Sequence, residues 1–130
     1  MEGIIIEQKQ ISLQEIEKCG FPIVINGDDA KDKQSFLIAM EKEFKFPDSC
    51  ANNLDAFLDY MRDLSWIDND IILIIYHKDH LLCSDIDARD LIIEICFHQC
   101  ILPYWMSSDH KVSPERRKKF TFYLVDEITK

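Results

Sequence analysis

The run Ile71-Ile-Leu-Ile-Ile-Tyr76 contains no polar residue to mark a solvated face. A strand with one wet side alternates apolar and polar residues. A strand without alternation is covered on both sides, as in the interior of a parallel sheet. Two further stretches read as its neighbours. Phe21 to Asn26 (FPIVIN) is β-branched and apolar and stops at Asn26-Gly27, a turn signal. Phe120 to Val125 (FTFYLV) forms the last strand. Helical patterns separate the three, and such alternation implies right-handed crossovers. The expected fold is therefore α/β, a small three-stranded parallel sheet with helices packed on it.

The helices have identifiable ends. Asp32 caps the first, with Phe36, Ala39, Met40 and Phe44 on its apolar face; Lys33, Glu41, Lys42 and Lys45 stay in water and Pro47 closes it. Asn53 caps a second helix that runs to about Leu64 and buries Leu54, Phe57, Met61 and Leu64. Asp85 or Asp87 starts a third, whose buried stripe is Leu91, Ile92, Ile95 and Cys96 and which is over by Pro103. Ahead of the sheet, Ile4 to Ile6 forms a short strand. Ser12-Leu-Gln-Glu15 fits a capping box for a short helix to about Lys18, ended by Gly20. Residues 1–20 thus read as an N-terminal extension and residues 21–130 as a single domain. Ser107 to Lys119 reads as a polar surface loop, and Trp66 and Trp105 as packing residues.

Charge narrows the partners. With 24 acidic and 15 basic residues the chain carries a net charge of −9. Such a surface repels phosphates, so direct binding of nucleic acid is not expected, and it attracts cationic partners. The basic run Arg116 to Lys119 is read as offsetting local repulsion. Five cysteines, an odd number at irregular spacing, argue against a disulfide framework; Cys96 and Cys100, near His98, read as core residues. No basic start leads into an apolar stretch, and no apolar run reaches membrane-spanning length. A soluble, cytoplasmic, monomeric protein with reduced thiols is expected.

The informative segment runs from Phe46 to Trp66 (FPDSCANNLDAFLDYMRDLSW), a loop feeding a helix N-terminus. Asp55 sits in the first turn, where the helix dipole favours a carboxylate, and Asp59 lies one turn later on the same side. Like charges at this spacing destabilise a helix by a few tenths of a kcal/mol. Two readings follow: Asp55 only helps the helix start while Asp59 pairs with Arg62, or the two form an acidic prong aimed at a cationic cleft, where carboxylates accept charge-assisted bonds.

The same segment resembles the barstar family: an F/L-P step, a short loop, N-x-D-A-L-x-D, then a D-L-S-W-like exit. Ile23-Val-Ile-Asn-Gly27 is similar to that family's first strand and turn. The resemblance extends by element order to Val125. It implies a three-stranded parallel sheet with packed helices and an inhibitor that plugs the active site of a basic bacterial ribonuclease, without catalysis or cofactor. It assigns partner contact to Asp55 and Asp59, with Asp59 the stronger, and to Leu58, at a position often occupied by tryptophan. In the loop it assigns Ser49 at an aromatic position, Ala51 at a glycine position, and Asn52. Asn53 is structural, and Glu94 is the candidate acidic contact from the third helix.

Other classes of protein would draw on the same residues. A non-nuclease basic protein or toxin would use the same surface. A metal-dependent enzyme could use Asp55, Asp59 and Asp63, but no paired-histidine motif, P-loop or nucleophile elbow accompanies them. His77, Asp79 and His80 cluster at a strand's C-terminal end, a common place for α/β sites; position in a fold alone does not make a site.

Overall fold

The computed structural model describes residues 5–50, 52–106 and 118–129. Its strands are β1 (Ile5–Ser12), β2 (Phe21–Asn26), β3 (Ile71–Tyr76) and β4 (Phe120–Thr129). All pair in parallel, in the order β1-β4-β3-β2. The sheet thus has four strands, not three. The fourth was obscure because β1 is an edge strand whose centre, Glu7 to Gln10, is exposed and polar. Backbone pairing with β4 holds it, from Ile5 opposite Phe122 to Ser12 opposite Thr129, and this pairing carries β4 beyond Val125.

Alternate residues of β3 point to opposite layers. Ile71, Leu73 and Ile75 join Ile23, Ile25, Phe120, Phe122 and Leu124 in the main core. Ile72 and Ile74 join Ile11, Ile16 and Val125 on the other face. The short helix α1 (Leu13–Glu17) covers that second face with Ile16. Ser12, paired in β1, makes no side-chain capping bond, so the expected capping box does not form.

The main layer contains α2 (Lys33–Glu43), α3 (Leu54–Met61), and a helical run made of α4 (Ile86–Asp90), a π-helical segment (Leu91–Ile101) and α5 (Leu102–Met106). Asp32 caps α2 by accepting from the Ser35 N–H at 2.8 Å, and Asp85 caps α4 by accepting from the Ala88 N–H at 3.0 Å. Pro47 does not close α2. The helix ends in a left-handed turn at Lys45 (φ 55°), with the Phe46 N–H bonded to the Glu41 carbonyl at 3.0 Å, a closure that lets Phe44 stay buried while Phe46 packs on the core. The last helical run also passes Pro103, which lies inside it at the second position of α5; the ring removes one backbone donor without ending the run.

The π-helical winding changes which residues are buried. Bonding from i to i−5 aligns residues four and five apart, so Ile92, Ile93, Cys96, Phe97 and Ile101 face the core. Leu91 and Ile95, expected inside from a 3.6-residue period, are 42% and 41% exposed.

The turn after α3 is tied down from three sides. Trp66 Nε1 donates to the Phe44 carbonyl at 2.8 Å, and Trp105 Nε1 donates to the Met61 carbonyl at 2.8 Å. Lys118 is buried, lies over the Trp105 ring, and donates to the Leu64 carbonyl at 2.6 Å and to the Ile67 carbonyl. This corrects the reading of Lys118 as a surface charge: the carbonyls of a buried turn need a donor, and a long side chain from the strand entrance supplies it. Arg116 and Arg117 lie outside the described residues. Among the described residues no helix is long and apolar enough to cross a membrane. Lys118→Met, which keeps the stem and removes the donor, is expected to lower the unfolding free energy by about 2 kcal/mol, as for unpaired buried carbonyls. A urea titration of the variant against the parent measures it.

Candidate functional site

The loop from Phe46 to Asn53 is positioned before α3 begins. Phe46 packs against Tyr60 (ring centroids 4.8 Å) and edge-on to Trp66 (6.1 Å). Farther along, the Glu41 carboxylate reaches out from α2 and accepts from the Ser49 hydroxyl at 3.0 Å, the Cys50 N–H at 3.0 Å and the Cys50 thiol at 3.5 Å. Glu41, expected in water, is therefore the anchor of the loop. A carboxylate can gather several donors from an irregular backbone that has no ladder partner. Asn52 then takes a left-handed conformation (φ 61°), which asparagine tolerates, and its neighbour Asn53 caps α3 by accepting from the N–H of Asp55 at 2.9 Å and of Ala56 at 3.4 Å.

Helix α3 presents two faces. Phe57 and Met61 are fully buried, and Phe57 sits edge-on to Phe36 (5.8 Å) and Phe97 (6.2 Å). Asp55 and Asp59 are exposed on the outside, and Leu58 between them is half-buried against the core. Arg62 stands 3.4 Å from Asp59, whose side chain remains 79% exposed. The intrahelical pair expected from spacing is present, yet an exposed pair at this distance holds the carboxylate weakly and leaves it available to a stronger cation. Ser49 and Asn52 are exposed on the adjoining loop, and Ala51 lies outside the described residues. Glu94 is exposed on the π-helical segment and makes no ion pair among the described residues. The site thus unites Ser49, Asn52, Asp55, Leu58 and Asp59 on one continuous loop and helix, with Glu94 on a separate element.

Helix α3 ends at Met61, so Asp63 does not continue the line of Asp55 and Asp59. No group of three or more His, Cys, Asp or Glu side chains among the described residues is arranged to hold a metal ion. The histidines also differ from expectation. Their carboxylate partner is Asp28, from the turn after β2, rather than Asp79, which pairs with Lys78 at 3.5 Å. Asp28 bonds His80 and lies 3.0 Å from His77 Nδ1, which also meets Asn26 Oδ1 at 2.9 Å. The hydrogen bond to His80, and next the charge of His77, hold the Asp28 carboxyl below its ordinary 3.8. This cluster joins the ends of β2 and β3.

The two buried thiols, Cys50 and Cys96, are shielded. Burial, with the Glu41 carboxylate beside it, raises the Cys50 thiol, and burial, with Cys100 and Asp55 nearby, pushes the Cys96 thiol to about 11. Since the thiolate is the reactive form, both should resist a thiol reagent at pH 8 while exposed Cys19 and Cys83 react. Glu41→Ala is expected to speed labelling of Cys50 at least tenfold with Cys96 still protected, as followed by mass spectrometry of labelled peptides. The Asp28 contacts have a definite pH sign. A depressed carboxyl contributes stability above its ordinary value and loses it as pH falls through the lowered one. Asp28→Asn should flatten the fall of the urea midpoint below about pH 4.

Comparison with curated proteins and with solved structures gives no match. A family model described as Barstar (barnase inhibitor) matches residues 21–124, from the first residue of β2 into β4, and so includes the loop, α3 and the π-helical segment. The match covers most of the chain, and the chain belongs to the Barstar family.

Proposed function

We propose that the chain is a protein inhibitor of a basic bacterial ribonuclease, acting in the cytoplasm as a monomer, with no catalysis and no nucleic acid contact of its own. The observation that carries this reading is the exposed pair Asp55 and Asp59 on α3, in a chain of a family described by barnase inhibition. Inhibition of this kind needs a rigid, acidic projection. The Glu41 anchor, the Asn53 cap and the buried Phe57 hold the helix, so little conformational entropy is lost on docking. The net charge of −9 speeds encounter with a cationic cleft, and Asp59, with only a weak intrahelical partner, is free to exchange Arg62 for a cation of the ribonuclease.

A second reading, an immunity or binding module for a different basic protein, is favoured by one feature. The positions the family resemblance makes aromatic carry Ser49 and Leu58 here. Aromatic anchors dominate many interfaces, so their replacement points to a target of different shape.

Titration into an RNA-cleavage assay with barnase, and with the host's own basic ribonuclease, tests the first reading. Stoichiometric inhibition is expected. Asp59→Ala should weaken binding by more than about 2 kcal/mol with the thermal midpoint retained; this is the general range for a desolvated charge contact, for which barnase and its inhibitor are themselves the reference case. Added salt should slow association. Collapse of thermal stability in the variant would make Asp59 structural, and a folded chain that leaves both nucleases active would reject the ribonuclease target.

A further inference from the structure

We propose that Leu91 and Ile95 form an apolar contact strip continuing the surface of Asp55 and Leu58, and that the bound protein is a basic one carrying an apolar side chain beside its cationic cleft. The inference rests on the reading of α3 as the inhibitory face and adds to it a second element and a second kind of contact.

Six large apolar side chains are exposed among the described residues: Phe21, Ile38, Ile86, Leu91, Ile95 and Met106. Leu91 and Ile95 are the two that stand one turn apart on the same helical segment. Their position relative to α3 is fixed by the neighbours of Ile95. Phe97 packs edge-on to Phe57, in the first turn of α3, at 6.2 Å. The turn carrying Ile95 and Cys96 therefore runs beside the first turns of α3. With bonding from i to i−5, Leu91, Ile95 and the half-buried Cys100 follow one line along the segment, just outside the buried line of Ile92, Cys96 and Ile101.

Leu91 and Ile95 stay outside the main core. An α-helical winding would turn Leu91 and Ile95 inward with Ile92 and Cys96. The π-helical winding buries Ile93, Phe97 and Ile101 and leaves two aliphatic side chains in water, which a partner would remove from it. The charges nearby identify the partner's chemistry. Asp55 and Asp59 are exposed on α3, which packs against this segment through Phe57 and Phe97, and Glu94 is adjacent to Ile95 in the chain. An apolar centre edged by carboxylates matches a cationic surface with an apolar projection, and the apolar contact excludes water from the ion pairs next to it. In this chain the strip adds apolar area that the family resemblance places in aromatic side chains at the positions of Ser49 and Leu58.

The test uses the full chain with barnase as the probe, in parallel with the host's basic ribonuclease, and follows association and dissociation over a range of salt. The double variant Leu91→Ser/Ile95→Ser is expected to bind at least tenfold more weakly, through faster dissociation, with the salt dependence of association unchanged. Asp59→Ala should instead reduce that salt dependence. Leu91→Met/Ile95→Met, which keeps the strip apolar, should bind as the parent does, and matching urea midpoints for all variants separate lost contact from lost folding. Parental affinity in the serine variant, with binding lost in Asp59→Ala, overturns the strip and leaves the ribonuclease reading standing. A parent chain that binds neither nuclease removes both. Self-association in sedimentation that the serine variant abolishes, at unchanged nuclease affinity, would overturn the proposal by assigning the strip to a second copy of the chain.

Discussion

Burial of both faces of β3 requires two layers in a chain of 130 residues, and most of the architecture follows from how those layers are assembled. One layer is large: α2, α3 and the helical run from Ile86 cover Ile71, Leu73 and Ile75. The other is thin: α1, with Tyr76 and Tyr123 from the two central strands, covers Ile72 and Ile74. The thin layer depends on β1, which brings α1 to that face by pairing with β4. Without it, the apolar side chains of the sheet's second face would stand in water, at roughly 25 cal/mol for each Å² exposed.

Helix α3 is short, and a helix of eight residues is not stable alone. Its order is imposed at each end and on one side. Asn53 caps the start, Glu41 holds the loop that leads into it, Trp105 and Lys118 take the carbonyls at and beyond its end, and Phe57 is fixed among aromatic rings. Since these contacts are all to the inner face or the termini, the outer face is free of structural duty. It can carry two aspartates one turn apart, which repel each other by only a few tenths of a kcal/mol. A surface that is rigid and electrostatically unrelaxed is suited to a partner that supplies the missing positive charge.

Much was legible in the residue pattern because it depends on near neighbours. The apolar runs of β2, β3 and β4, the caps Asp32, Asn53 and Asp85, and the buried faces of α2 and α3 follow from periodicity and local hydrogen bonding. The exposure of Asp55 and Asp59 was legible for the same reason, as the opposite side of a helix whose apolar side is clear. The features that were not legible depend on partners far along the chain. β1 is held by residues more than 100 positions away and has no apolar alternation of its own. Glu41 looks like any solvated helix residue until the loop folds back on it, and Lys118 looks like part of a basic run until the turn after α3 needs its donor.

The amino-acid sequence by itself determined the class of fold, the strands of the core, the start of α3 and the acidic character of its outer face, because each depends on side-chain polarity and on bonds within a few residues. Tertiary structure alone decided the fourth strand, the anchoring of the loop, the pairing of Asp28 with His77 and His80, and the π-helical winding that turns Leu91 and Ile95 outward. Those depend on which distant backbone and side-chain groups must be paired once water is excluded, and polar satisfaction at long range leaves no period in the chain to be read.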